Sequence, residues 1–109
     1  MTRRRITHAA VRRLALALPE AVESSHFSTV DFRVRNKIFA SLRTTDTVVL
    51  KTTPTNLDAL VSADGATFRD AWRARWVSVR LDRVTIPLLR ELLTDAWRLA
   101  APKRLAAGF

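Results

Sequence analysis

The chain has 109 residues, 48% of them hydrophobic, and no cysteine, which predicts one domain spanning residues 1–109 and excludes disulfides and thiolate chemistry. Nineteen lysines and arginines against ten aspartates and glutamates give a formal net charge of +9, a balance that favours acidic partners. With only two glycines, the chain has no Gly-rich phosphate-binding loop.

The N-terminal segment does not have the pattern of a targeting signal. Its basic start resembles the first part of a secretory signal, but Arg12 and Arg13 interrupt the apolar stretch that follows. The remaining apolar run, residues 14–18, is too short, and nothing in the chain approaches the roughly 20 apolar residues of a membrane span. We therefore expect a cytoplasmic protein with no membrane partner.

The first predicted element is a helix from about Thr7, a residue suited to cap it, to Leu18 before Pro19. A polar stretch, EAVESSHFST, then leads into three strands between residues 32 and 50. Apolar and polar residues alternate there, which is typical of strands with one wet face. Arg35-Asn36 predicts a two-residue type I′ turn. The predicted inward residues are Phe32, Val34, Ile38, Ala40, Leu42, Val48 and Leu50, while Phe39 and Val49 interrupt the polar outer face.

The second half of the chain predicts two helices and one clear strand. A helix begins near Pro54, and residues 64–75 fit either a helical turn or a short edge strand. Residues 76–82 alternate as a strand with Val77, Val79 and Leu81 inward, and a last helix runs from about Ile86 to Ala100. The end, KRLAAGF, is interpreted as a frayed tail. The predicted fold class is α+β, a single antiparallel β-sheet with amphipathic helices on one face, in the order α-β-β-β-α-(β)-β-α.

Five segments resemble the MmcQ/YjbR family over nearly the whole chain: LALPEAVESSHF, FRVRNKIFASL, VVLK-TTPTNL, WVSVRLD and LLRELLTDAWRLAAPKRL. The resemblance implies a fold similar to CyaY-like and secretion-chaperone-like domains. Members of the family are often labelled DNA-binding, so it also implies a nucleic-acid partner, but it supplies no catalytic or ligand residues. The chain departs from the family at Asn36, where glycine is common, and at Ser28-Thr29, which replaces a glycine-containing step.

The outward positions of the predicted strands form the candidate site. Arginine makes two-point contacts with phosphate, and an exposed aromatic ring can stack on a base. No segment resembles a recognition helix, so sequence preference should be weak. The candidate nucleic-acid-binding residues are Arg33, Arg35, Lys37, Arg43, Lys51, Trp76 and Arg80.

Other readings of this surface remain open. The same face could be an ordinary solvated surface, or the interface of a protein-interaction or homodimeric module, because tryptophan and arginine are both enriched at interfaces. Sixteen of the 19 basic residues are arginine, so a GC-rich genome could account for part of the charge. Monomer and homodimer are both compatible with the sequence. Four further aromatic residues are predicted to lie in the core: Phe39, Phe68, Trp72 and Trp97.

Catalysis and metal binding have weak local support. Glu23-Ser24-Ser25-His26 contains the side chains of an activated nucleophile, but such triads are assembled by geometry between distant segments. His8 and His26 lie in different segments without ligand spacing. We therefore expect a non-enzymatic protein without metal or other cofactor.

Overall fold

One antiparallel sheet of six strands, in the spatial order β1-β2-β3-β4-β6-β5, forms the centre of the molecule. The structure, a computed structural model, describes residues 5–109. Its elements are α1 (His8–Leu16), β1 (Ala21–His26), β2 (Thr29–Val34), β3 (Lys37–Thr44), β4 (Thr47–Lys51), α2 (Pro54–Ala63), β5 (Phe68–Trp72), β6 (Trp76–Arg80), α3 (Ile86–Ala100) and α4 (Lys103–Ala107). The predicted α+β class and single antiparallel sheet are confirmed, with the predicted elements in the predicted order.

Two elements were not predicted. The polar stretch before the first predicted strand is itself β1, which pairs with β2 from Ala21 opposite Val34 to His26 opposite Thr29. The C-terminal segment, expected to be frayed, forms the short helix α4, and beyond it the ring of Phe109 packs 5.1 Å from that of Trp97. Residues 68–72 form an edge strand, which decides between the two interpretations of residues 64–75.

The helices lie on one face of the sheet. Helix α3 packs across β2, β3 and β4, while α1 packs against β1 and α3, so the expectation that the first and last helices share a face is confirmed. Trp97 of α3 is fully buried and its indole nitrogen donates a hydrogen bond to the carbonyl of Pro19 at 2.9 Å. Thr7, Thr53 and Thr85 each accept a backbone N–H and so cap α1, α2 and α3.

A bulge in β3 changes which side chains enter the core. Phe32 pairs with Ala40 but Arg33 pairs with Ile38, so Phe39 is an extra residue in its strand. Phe39 and Ala40 both lie in the core, whereas Ile38 is partly exposed on the opposite face of the sheet. Alternation wrongly places Ile38 inward and Phe39 outward, because strict alternation does not survive a bulge. The separate prediction that the Phe39 ring lies in the core is correct.

The tight turns use the left-handed backbone region without glycine. Arg35 and Asn36 have φ angles of 49° and 67°, as the predicted type I′ turn requires. Phe27 and Ser28 between β1 and β2 have nearly the same pair of angles, and Arg73 and Ala74 between β5 and β6 also have positive φ. Residues other than glycine are strained in this region, so the β1–β2 and β5–β6 turns carry local strain.

Candidate nucleic-acid interface

The sheet face opposite the helices, called the outer face here, is concave. All six strands contribute to a groove of about 720 Å³, and among residues 5–109 no helical residue lines it. Its floor is mixed: Ile38 and Val49 supply apolar surface, and Ser41, Thr47 and Ser78 supply hydroxyl groups. A groove of this size and composition suits a partly apolar ligand held by a few polar contacts.

Aromatic residues stand at both edges of the groove. Trp76 of β6 lies directly opposite Trp72 of β5, which is 58% exposed. At the other edge of the sheet, Phe27 in the β1–β2 turn is 90% exposed and its ring lies 4.3 Å from that of His26. Such exposure is uncommon for large aromatic side chains, so these edges are candidate contact surfaces.

The prediction that Trp72 belongs to the core is wrong. The other three aromatic residues assigned to the core, Phe39, Phe68 and Trp97, are buried as predicted. Trp72 differs because β5 is an edge strand and its register with β6 places the indole on the outer face, opposite Trp76. The signal was present in the sequence as W-R-A-R-W: two tryptophans flanking a three-residue loop meet across a hairpin.

The predicted basic residues are only partly brought together. Arg33, Arg43, Lys51 and Arg80 lie on the outer face with Trp76, as their strand positions and partners show. Arg35 and Lys37 instead lie at the β2–β3 turn, at the end of the sheet. The positions of the outer-face residues were correctly predicted from alternation. The two turn residues, by contrast, lie outside the groove.

Three of the predicted arginines already hold carboxylates. Arg80 donates to Asp82 from Nε at 3.0 Å and from Nη2 at 2.8 Å. Arg33 likewise donates to both carboxylate oxygens of Asp31 from Nε and Nη2. Arg35 binds Glu20, and this hydrogen bond lowers the pKa of the Glu20 carboxyl. Likewise, the hydrogen bond from Arg80 lowers the pKa of Asp82. These internal pairs reduce the positive charge that the three arginines can offer to a phosphate.

The other three predicted cations are Arg43 and Lys51 on the outer face and Lys37 at the β2–β3 turn. Across the described part of the chain, no ion pair joins Lys37, Arg43 or Lys51 to a carboxylate. The ammonium of Lys51 lies 5.0 Å from the Trp76 ring, and the guanidinium of Arg73 lies 4.7 Å from the Trp72 ring. Each indole of the pair is therefore accompanied by a cation.

Comparison with known proteins identifies the family of this chain. The sequence model of the YjbR family matches residues 16–99. The chain belongs to the YjbR family. The resemblance inferred from the five sequence segments is thereby confirmed, and because the match contains all six strands, the whole groove belongs to the YjbR part of the chain.

The fold is similar to that of a protein with a solved structure. That structure is the crystal structure of the Deinococcus radiodurans protein DR2400, described as a DUF419 domain. The alignment has a TM-score of 0.76 and 25% sequence identity, and covers 85% of this chain and 77% of that one. No curated protein matches the chain.

The candidate catalytic segment of this YjbR-family chain does not assemble. Side chains alternate between the two faces along a strand, so residues three positions apart point to opposite faces. Glu23 and His26 of β1 are therefore on opposite sides of the sheet. Glu23 faces the helices and is bound by Arg12 of α1, while His26 lines the groove. Within residues 5–109 no three histidine, aspartate or glutamate side chains come together as a metal site would require. Nor does that range contain a helix long and apolar enough to span a membrane.

Proposed function

We propose that this protein binds nucleic acid on its outer face, with weak sequence preference and without catalysing a reaction. The observation that carries the proposal is a concave sheet surface with aromatic side chains, where Arg43, Arg69 and Lys51 outnumber the two carboxylates of the groove, Asp31 and Asp70, of which Asp31 is already paired with Arg33. Arg43 and Arg69 line the groove with Trp72 and Trp76, and Lys51 lies over one of the indoles. Phosphate binding by basic side chains combined with aromatic stacking is the usual chemistry of sequence-tolerant nucleic-acid binding.

The internal ion pairs change which residues should contact phosphate. Two N–H groups of each of three arginines already donate to a carboxylate: Arg33, Arg35 and Arg80. We therefore assign the phosphate contacts to four other cations: Arg43, Lys51, Arg69 and Arg73. Three or four such contacts on a single strand correspond to a log–log salt slope of roughly −2 to −3. The net charge of +9 should add a long-range attraction that accelerates association at low salt.

The test is a fluorescence-anisotropy titration of random-sequence oligonucleotides across a salt series. Replacing Arg43 and Lys51 together by alanine should weaken binding on every sequence and flatten the single-strand slope by about 1.4, because two phosphate contacts are lost. The matched control replaces Arg13 and Arg90, which are exposed on α1 and α3, and removes the same charge from the helical side. Absence of binding at low salt, or an equal loss in both double variants, would contradict the proposal.

A protein-interaction or homodimeric module is the second candidate. Its support is the exposure of three large apolar side chains: Val22, Phe27 and Trp72 are 54%, 90% and 58% exposed. Surfaces of this kind often mark interfaces between proteins. Light scattering coupled to size-exclusion chromatography separates the two candidates. A dimer that dissociates on Phe27→Ser substitution and binds no oligonucleotide at low salt would support this second function against the first.

A further inference from the structure

The arrangement of the two tryptophans indicates a more specific contact with a ligand than a general affinity for nucleic acid requires. Trp72 and Trp76 face each other across the β5–β6 pair at its hairpin end, and both line the groove. Burial in the core does not explain Trp72, which is 58% exposed on an edge strand. Arg73 lies over this indole, and the remaining exposed part of the ring is a flat apolar surface available to a ligand or partner.

The cations beside the indoles narrow the class of ligand. Lys51 and Arg73 lie 5.0 and 4.7 Å from the rings of Trp76 and Trp72, so each potential stacking surface has a positive charge next to it. In single-stranded nucleic acid every base is linked through its sugar to a neighbouring phosphate. Aromatic platforms with adjacent cations therefore match the repeating base-and-phosphate pattern of an unpaired strand.

The concave shape favours single strands over duplexes. A duplex keeps its bases stacked and presents phosphates outward, so its bases cannot reach tryptophans inside a groove. An unpaired strand can place its bases against Trp72 and Trp76, over the apolar floor formed by Ile38 and Val49. Phe27, exposed at the opposite edge of the same groove, provides a further ring for stacking.

We infer that the groove binds single-stranded nucleic acid by stacking unpaired bases on Trp72 and Trp76, with Lys51 and Arg73 holding the adjacent phosphates. This inference rests on the proposed function and deepens it, because it names the strand state and the residues that contact the bases. Ser41 and Ser78 add hydroxyl groups to the floor, and a hydroxyl both donates and accepts hydrogen bonds, so these groups would not select one base.

The experiment compares thymidine and uridine oligonucleotides of about ten nucleotides with an abasic oligonucleotide of the same charge, a length within the range that single-strand-binding domains cover. The wild type should bind the base-containing strands more tightly than the abasic strand. Trp72→Ala should weaken binding of the base-containing strands by roughly 5- to 100-fold and leave abasic binding unchanged. Trp72→Phe should retain most of the affinity. Because Trp72 is exposed, the alanine variant should fold normally, which circular dichroism checks.

Phe109→Ala is the matched control, because it removes an aromatic ring that is 53% exposed but packs against Trp97 of α3, away from the groove. It should leave all affinities unchanged. Equal binding of base-containing and abasic strands, or tighter binding of a duplex of the same length, would overturn base stacking while leaving the proposed function standing. Absence of binding to every oligonucleotide at low salt would overturn both.

Discussion

Arg33 and Asp31 form a two-point ion pair within one strand, with Arg33 Nε 2.9 Å from Asp31 Oδ1 and Nη2 3.2 Å from Oδ2. Asp31 is only 2% exposed, and within residues 5–109 Arg33 is the cation that pairs with it. The sequence favoured Arg33 as a phosphate contact, yet the structure gives it an internal partner. Its first role is therefore to compensate a buried carboxylate.

Replacement of Arg33 by alanine should mainly lower stability. We expect the unfolding temperature to fall by on the order of 10 °C, because Asp31 would remain buried without its charge partner. Differential scanning calorimetry measures this. Arg35→Ala in the adjacent turn is the matched control, since its partner Glu20 is 45% exposed and the shift should be far smaller. Similar shifts for the two variants would show that the Asp31 pair is not special.

The inward face of β6 provides a second stability test. Val79 is fully buried, and changing it to aspartate should cost about 3–5 kcal/mol because an unpaired charge would enter the core. Ser78→Asp, one residue away, places the same side chain in the groove opposite Arg69 and should cost much less. Urea unfolding compares the two. Comparable costs would contradict the assignment of faces in this strand.

The alternation of apolar and polar residues predicts the face of each side chain correctly in some strands and wrongly in others. Alternation correctly places Val77 and Val79 inward, because β6 is regular and apolar on one side only. It fails at Ile38 and Phe39, since a bulge depends on pairing with β2 and leaves no mark in a single strand's pattern. It misses β1 as a strand because Ala21–His26 is an edge strand whose polar residues face solvent or Arg12.

The candidate site was predictable to a similar degree. The outer-face positions of Arg43, Lys51 and Trp76 follow from strand period, and the structure places them there. The carboxylate partners of Arg33, Arg35 and Arg80 depend on side-chain geometry that a period cannot express. The exposure of Trp72 depends on which strand forms the sheet edge, which is a property of the whole fold.

The β1–β2 turn should gain stability from glycine. Ser28 is exposed with a φ of 67°, a conformation that costs other residues free energy but that glycine adopts readily. Ser28→Gly should therefore stabilise the protein by about 0.5–1 kcal/mol in urea unfolding. Ser25→Gly, in the extended part of β1, should destabilise it by a similar amount. A loss of stability on Ser28→Gly would mean that this backbone is not strained.

Acid should weaken the connection between α2 and β5. The hydroxyl of Thr67 donates to Asp64 at 2.6 Å, and this bond, helped by the backbone N–H groups of Ala66 and Thr67, lowers the pKa of Asp64. A carboxyl whose pKa is lower in the folded state contributes stability that is present above its ordinary value of about 4 and is lost as pH falls through its folded value. The advantage of the wild type over Asp64→Asn should therefore shrink between pH 7 and pH 3. Thermal unfolding at both pH values measures it, and a constant difference would count against the shift.

The most direct measurement of the central claim is an NMR titration of the 15N-labelled protein with a single-stranded oligonucleotide at low salt. The account predicts that the perturbed signals will be the amides of Arg43, Val49 and Ser78 and the indole N–H groups of Trp72 and Trp76, which lie on the outer face. The indole of buried Trp97, bonded to Pro19 on the helical side, should stay unchanged and serves as an internal control. Perturbations confined to α1 and α3, or none at all, would contradict a nucleic-acid interface on the outer face.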